Sequence, residues 1–138
     1  MDSKLPIVRG LQSLSPEEAI EAINALPFAY YRASLDGRVL AASSAMIEIF
    51  GYDSIDDIIG VEISSCYVEP DGRARFLAAL AEGNGIVDDF QAEMLGPRGK
   101  FWVSTAARLV LDGAGTPIAL EGLTRDITEQ RNVFDELG

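Results

Sequence analysis

The chain has 138 residues, 48% of them hydrophobic, with 22 Asp and Glu against 11 Lys and Arg for a formal net charge of −11. That length suits one domain with a real core. So acidic a surface, with its few cations scattered, argues against nucleic-acid binding and electrostatic membrane docking.

Histidine is absent and Cys66 is the single cysteine. His-ligated haem, most zinc sites and the Ser-His or Cys-His pairs of hydrolases are therefore removed, and no internal disulfide forms. No 18-residue apolar run exists, and Met1, Asp2 and Ser3 do not open a secretory leader. A cytoplasmic location is expected.

Residues 1–15 carry little pattern and read as a flexible lead-in. Ser15-Pro16-Glu17-Glu18 is then a helix start, with Ser15 and Glu18 forming a capping box and Pro16 in the first helical position. Ile20, Ile23 and Leu26 recur at helical spacing, and Pro27 ends this flanking helix over 16–27. From Phe28 the texture becomes strand. Residues 28–34 and 38–42 read as a hairpin around Asp36-Gly37.

Residues 43–82 predict short helices. Ser43 or Ser44 caps a segment with Met46, Ile49 and Phe50 that stops at Gly51. Ser54 opens another, with Asp57 at its third helical position, Ile55, Ile58 and Ile59 as the apolar side and Gly60 as the end. The longest runs from Pro70 to Glu82, with Phe76, Leu77 and Leu80 as its apolar residues. Strands follow over 86–95, 100–111 and 117–126, separated by Gly96-Pro97-Arg98-Gly99 and Asp112-Gly113-Ala114-Gly115. Residues 130–138 begin a polar exit helix. Helices gathered between two groups of strands predict an α+β architecture with a five-stranded antiparallel sheet.

Four groups of residues stand in an order that resembles the PAS sensory domain. They are Phe50-Gly51-Tyr52 before the helix ending at Gly60, Glu69-Pro70-Asp71-Gly72-Arg73 opening the helix of Phe76-Leu77, Gly99-Lys100-Phe101-Trp102-Val103 at a strand start, and Asp126-Ile127-Thr128-Glu129 closing the last strand. The resemblance covers residues 28–129. It implies short helices packed on one face of the sheet around a pocket, flanking helices at both ends, and a bacterial signal-transduction module. Such modules belong to histidine kinases, cyclic-dinucleotide enzymes or transcription regulators, so an attached output domain is the implied partner.

One subfamily, the light-oxygen-voltage domains, uses a cysteine against flavin. Its cysteine position, three residues after the glycine matching Gly60, is Ile63 here, and its flavin-contacting Asn and Gln fall at Val103 and Thr124. Cys66 is out of place. Neither flavin nor haem is expected, and no cofactor is assigned.

The same matches turn Val103 and Thr124 inward, and the period of two brings Phe101, Thr105, Ala107, Leu120 and Gly122 with them. With Met46, Phe76 and Met94, these residues other than Ala107 form the candidate pocket. Either it takes a small apolar ligand with one or two polar groups, or its own side chains fill it. Trp102 falls on the opposite face with Ser104, Ala106, Ala119 and Leu123. A homodimer is expected there, through Ile20, Ile23, Leu26 and Trp102.

Asp56-Asp57 suits a helix's first turn, and Asp88-Asp89 point to opposite faces of a strand, so neither pair predicts a metal site. No carboxylate pair is placed for acid–base chemistry, and no enzyme is expected. Asp126, Ile127 and Thr128 mark the handover from sheet to exit helix. Asp126 or Thr128 can cap that helix, and Asp126 can pair with an arginine. The junction is either a cap alone or also a signal relay.

Overall fold

Alternation at a period of two becomes five strands of one antiparallel sheet. A computed structural model describes Ser15, Glu17, Glu18, Glu21 and residues 28–137, with side chains as far as Val133. The strands are β1 (Ala29–Ala33), β2 (Val39–Ala42), β3 (Ile86–Gly96), β4 (Gly99–Leu111) and β5 (Pro117–Asp126). Their order across the sheet is β2-β1-β5-β4-β3, so the last strand in sequence is the middle one in space. Between β2 and β3 come helices α1 (Ser44–Phe50), α2 (Ile55–Ile58), a 3-10 turn at Ile63–Ser65, and α3 (Gly72–Glu82). Helix α4 (Thr128–Leu137) follows β5.

Ahead of the sheet the reciprocal cap forms as expected. Ser15 N–H donates to Glu18 Oε1 at 2.9 Å, and Glu18 N–H donates to Ser15 Oγ at 3.2 Å. The apolar residues of that segment, Ile20, Ile23 and Leu26, lie outside the described residues. In the first hairpin Gly37 turns with φ 92°, a left-handed conformation that a side chain resists. A Cβ there would also lie 2.6 Å from Ser64 Cβ.

Three helical expectations need correction. Ser43 stands at the N-cap of α1, but its hydroxyl accepts from Tyr30 N–H at 2.8 Å and makes no cap bond. It ties the helix start to β1 instead. In α2 only Ile58 is buried while Ile55 and Ile59 are exposed, because a single turn presents one residue to the core. Helix α3 starts at Gly72 rather than Pro70, and Leu77 lies outside its apolar stripe. Phe76 and Leu80, four residues apart, face the sheet, while Leu77 is 45% exposed one residue step (about 100°) around the helix.

The helices cover one face of the sheet, and the core sits between. Met46 and Phe50 of α1 pack with Tyr31, Met94, Phe101 and Val103 from the strands. Phe76 and Leu80 of α3 pack with Ala107 and Leu120. Edge-to-face ring pairs stitch each group, Phe50 on Phe101 at 4.9 Å and Phe76 on Phe90 at 5.4 Å.

Candidate functional site

Strand pairing sets the inner face. Thr105 lies opposite Thr124, Ala107 opposite Gly122 and Leu109 opposite Leu120, so β4 and β5 send matched residues toward the helices. Phe101, Val103, Thr105, Ala107, Leu120, Gly122 and Thr124 are all buried. Val103, Thr105, Leu120 and Thr124 of this set, with residues of α1 and α3, line a cavity of about 30 Å³, room for the centres of roughly two waters.

Seven of the nine pocket candidates line that cavity: Met46, Phe76, Met94, Val103, Thr105, Leu120 and Thr124. Phe101 and Gly122 do not. The Phe101 ring is taken up by Phe50, and the space above Gly122 holds the Tyr31 ring, whose Cε1 would lie 2.7 Å from a Cβ at that position. Sequence reasoning missed Tyr31, Tyr67, Arg73 and Phe90 in the lining. Tyr31 was within reach of it, since Ala29, Tyr31 and Ala33 alternate on β1 as the inner residues of β4 do.

The polar groups of the cavity differ in kind. Thr105 Oγ1 and Thr124 Oγ1 bond each other at 3.3 Å across the strands. Burial pushes the Tyr31 phenol far up, Tyr67 adds to this, and the charge of Arg73 opposes it. The Tyr67 phenol is pushed up to about 12 by burial, against the pull of Arg73. Both phenols therefore stay protonated at neutral pH, and Arg73 is the one charged residue in the lining.

Cys66 is half-buried, and its thiol faces Glu62 O at 3.8 Å rather than lining the cavity. Burial, then Glu62, pushes its pKa up. Such a thiol is a poor nucleophile at neutral pH. Among the described residues no group of three or more His, Cys, Asp or Glu could hold a metal ion. No described helix is long and apolar enough to cross a membrane.

The junction at the end of β5 is built from four bonds. Ile127 N–H donates to Trp102 O at 2.9 Å, and Trp102 N–H donates to Thr128 Oγ1 at 2.8 Å. Asp126 Oδ1 accepts from Thr128 N–H at 2.8 Å, and Arg131 N–H closes the first turn onto Ile127 O at 2.9 Å. Asp126 is thus the cap, and Thr128 is the bolt that fixes the helix to β4. The arginine partner considered for Asp126 is not made among the described residues. Ile127 is buried beneath the junction.

Helix α4 also reaches the outer face of the sheet. The Arg131 guanidinium carbon sits 4.0 Å from the centroid of the Trp102 ring, and its Nε is buried without a hydrogen-bond partner. A cation over the indole face is attractive, by about 0.5–2 kcal/mol as water is excluded. Trp102 is the only tryptophan. Arg131→Ala should therefore shift its emission to the red and remove about 0.5–1 kcal/mol of stability. An unchanged spectrum would show that the arginine does not shield the ring.

Elsewhere on the outer face Glu121 accepts from Arg108 Nε at 2.8 Å and from Tyr30 OH at 2.9 Å. Burial raises the Glu121 carboxyl, but these donors outweigh it and hold it below the ordinary glutamate value. Ser104 is tied to Asp89 beside them.

The family model for the PAS domain matches residues 27–129. A crystal structure of the PAS domain of a protein from Colwellia psychrerythraea is similar, with TM-score 0.71 and 19% identity over 82% of this chain and 97% of that one. A sensory box histidine kinase/response regulator from Burkholderia thailandensis E264 gives TM-score 0.61 and 24% identity over 88% of this chain and 90% of that one. The LOV domain from the Erythrobacter litoralis EL346 blue-light activated histidine kinase gives TM-score 0.61 and 19% identity over 75% and 98%. Comparison with curated proteins returns no sequence match. With the five-stranded sheet, the helices on its inner face and the family model spanning three-quarters of its length, the chain belongs to the PAS domain family.

Proposed function

We propose that the chain is a non-catalytic sensor and relay unit of a larger signalling protein. Occupancy of the inner cavity would be reported through β4 and β5 to α4, and from there to an output domain. One observation carries this reading. Trp102 holds the start of α4 through Thr128 and Ile127, while its neighbours on the same strand, Val103 and Thr105, line the cavity. A shift of β4 at the cavity therefore moves the root of the helix through covalent and hydrogen-bonded neighbours.

The reading needs no flavin or haem. Ile63, Val103 and Thr124 line the cavity at the positions where flavin domains place their cysteine and two amides, and Cys66 faces away from it. It includes self-association through Ile20, Ile23 and Leu26 with the outer face around Trp102, where Leu123 remains 43% exposed. A spacer with a filled core is the second reading, favoured by the small size of the cavity.

The test is Asp126→Ala in the parent protein, assayed for output with and without stimulus. Loss of the cap costs the helix about 0.5–2 kcal/mol and leaves the apolar core in place. The expected result is a folded, colourless protein whose output no longer follows the stimulus. Normal switching would sink the relay, and a visible flavin or haem band would sink the cofactor-free reading.

A further inference from the structure

We propose that the cavity selects a small organic anion, a monocarboxylate with a short hydrocarbon tail, and that Arg73 is the residue that holds its carboxylate. The inference rests on the reading of the cavity as a ligand site and names the chemistry of what enters it. The chain carries a formal charge of −11, yet no acid lines this cavity. Its single charged residue is a cation.

Arg73 stands in the first turn of α3, half-buried, at the edge of the lining. Its Nη2 donates to Leu35 O at 3.0 Å, and its guanidinium carbon is 5.8 Å from the Phe76 ring centroid. These two contacts aim the group. Tyr67 is a further hydrogen-bonding neighbour of the guanidinium and Asp36 is near enough to feel its charge, but among the described residues no carboxylate lies within ion-pair distance of it. Of the other described arginines, Arg38, Arg75, Arg98 and Arg108 each reach an Asp or Glu, while Arg32, Arg125 and Arg131 form no ion pair among the described residues but line no cavity.

Around Arg73 the polar hydrogens are donors. The phenols of Tyr31 and Tyr67 feel its charge and stay protonated, so each can give a hydrogen bond to an oxygen placed between them and the guanidinium. A carboxylate satisfies both, since it only accepts, and a guanidinium binds it in two-pronged fashion. The rest of the wall is Met46, Phe76, Phe90 and Met94, which suits a hydrocarbon tail. An ammonium would meet a like charge and no carboxylate, with only hydroxyl oxygens to accept from it. The methionines are the means of growth beyond the present 30 Å³, because their unbranched side chains repack at small cost.

The experiment uses the full chain and three probes of one size: butyrate, butan-1-ol and butylammonium. The methyl resonances of Met46 and Met94, two of only three methionines, report occupancy of the cavity. Butyrate should shift both and bind at least about tenfold tighter than butanol, the usual margin of a charge-assisted bond over a neutral one. Butylammonium should leave them unmoved. Arg73→Gln should lose that tenfold for butyrate and leave butanol within about twofold, and Arg73→Lys should keep part of the preference. Thermal melting of each variant separates lost binding from lost fold. Equal binding of butyrate and butanol, both indifferent to Arg73→Gln, would overturn the anion while the cavity stands as a ligand site. If no probe moves either methyl, the ligand-site reading falls and the proposal with it.

Discussion

Phe50→Ala is expected to remove about 3–5 kcal/mol of stability, a large share of the 5–15 kcal/mol that a domain of this kind holds. Phe50 is 3% exposed, packs its ring against Phe101 and belongs to the cluster that joins α1 to β1, β3 and β4. It also borders the cavity, so the vacated space would merge with one already present rather than collapse. That places the cost toward the upper end of the range. Urea unfolding checks it: the midpoint should fall while the slope stays the same. Leu77→Ala, at the half-exposed position on α3, should change stability by no more than about 0.5 kcal/mol. Equal losses for the two would mean that the ring pair does not anchor α1.

Gly122→Ala is the second large effect. A Cβ at Gly122 would lie 2.7 Å from Tyr31 Cε1 and 2.8 Å from Ala106 O. The first atom belongs to a ring and the second to the neighbouring strand, and neither yields freely. Overpacking of this sort costs about 1–3 kcal/mol. Because Tyr31 lines the cavity, a displaced ring would intrude on that space. The variant should therefore both melt earlier and change the Met46 and Met94 methyl shifts. Unaltered melting would show that the ring steps aside without strain.

The strands were legible because each has an alternating or aromatic-rich run between glycine-bearing turns, and β4 and β5 could be phased from either end. The inner face followed from that phase. What escaped was reach. Phe101 points inward as expected yet is spent on Phe50, and Gly122 faces inward with another residue's ring in front of it. A period of two says which way a side chain leaves the sheet and nothing about which neighbour takes up the room.

Arg73 and Arg131 escaped for the related reason that long side chains act several ångströms from their backbones. Arg73 was visible within the Glu69-Pro70-Asp71-Gly72-Arg73 group, but no spacing rule carries its guanidinium over Phe76 to the cavity edge. Asp126 and Thr128 were legible as a pair of short polar residues at a strand end. Their division of labour, one capping the helix and the other gripping Trp102, needed the pairing of β4 with β5.

The strand order has a consequence for how the chain acquires its structure during synthesis. Strand β1 leaves the ribosome early but pairs along its full length with β5, and the bond from Tyr30 to Glu121 spans 91 residues. Until β5 emerges, the first hairpin and the β3-β4 hairpin are two separate ribbons with no strand between them. Neither ribbon alone buries both sides of its apolar residues, and a lone hairpin is marginal in water. Closing so long a loop before its contacts form makes folding slow and nearly all-or-none. A nascent chain halted before residue 117 should thus be cut readily by proteases along its whole length, and protection should arrive in one step once β5 is free.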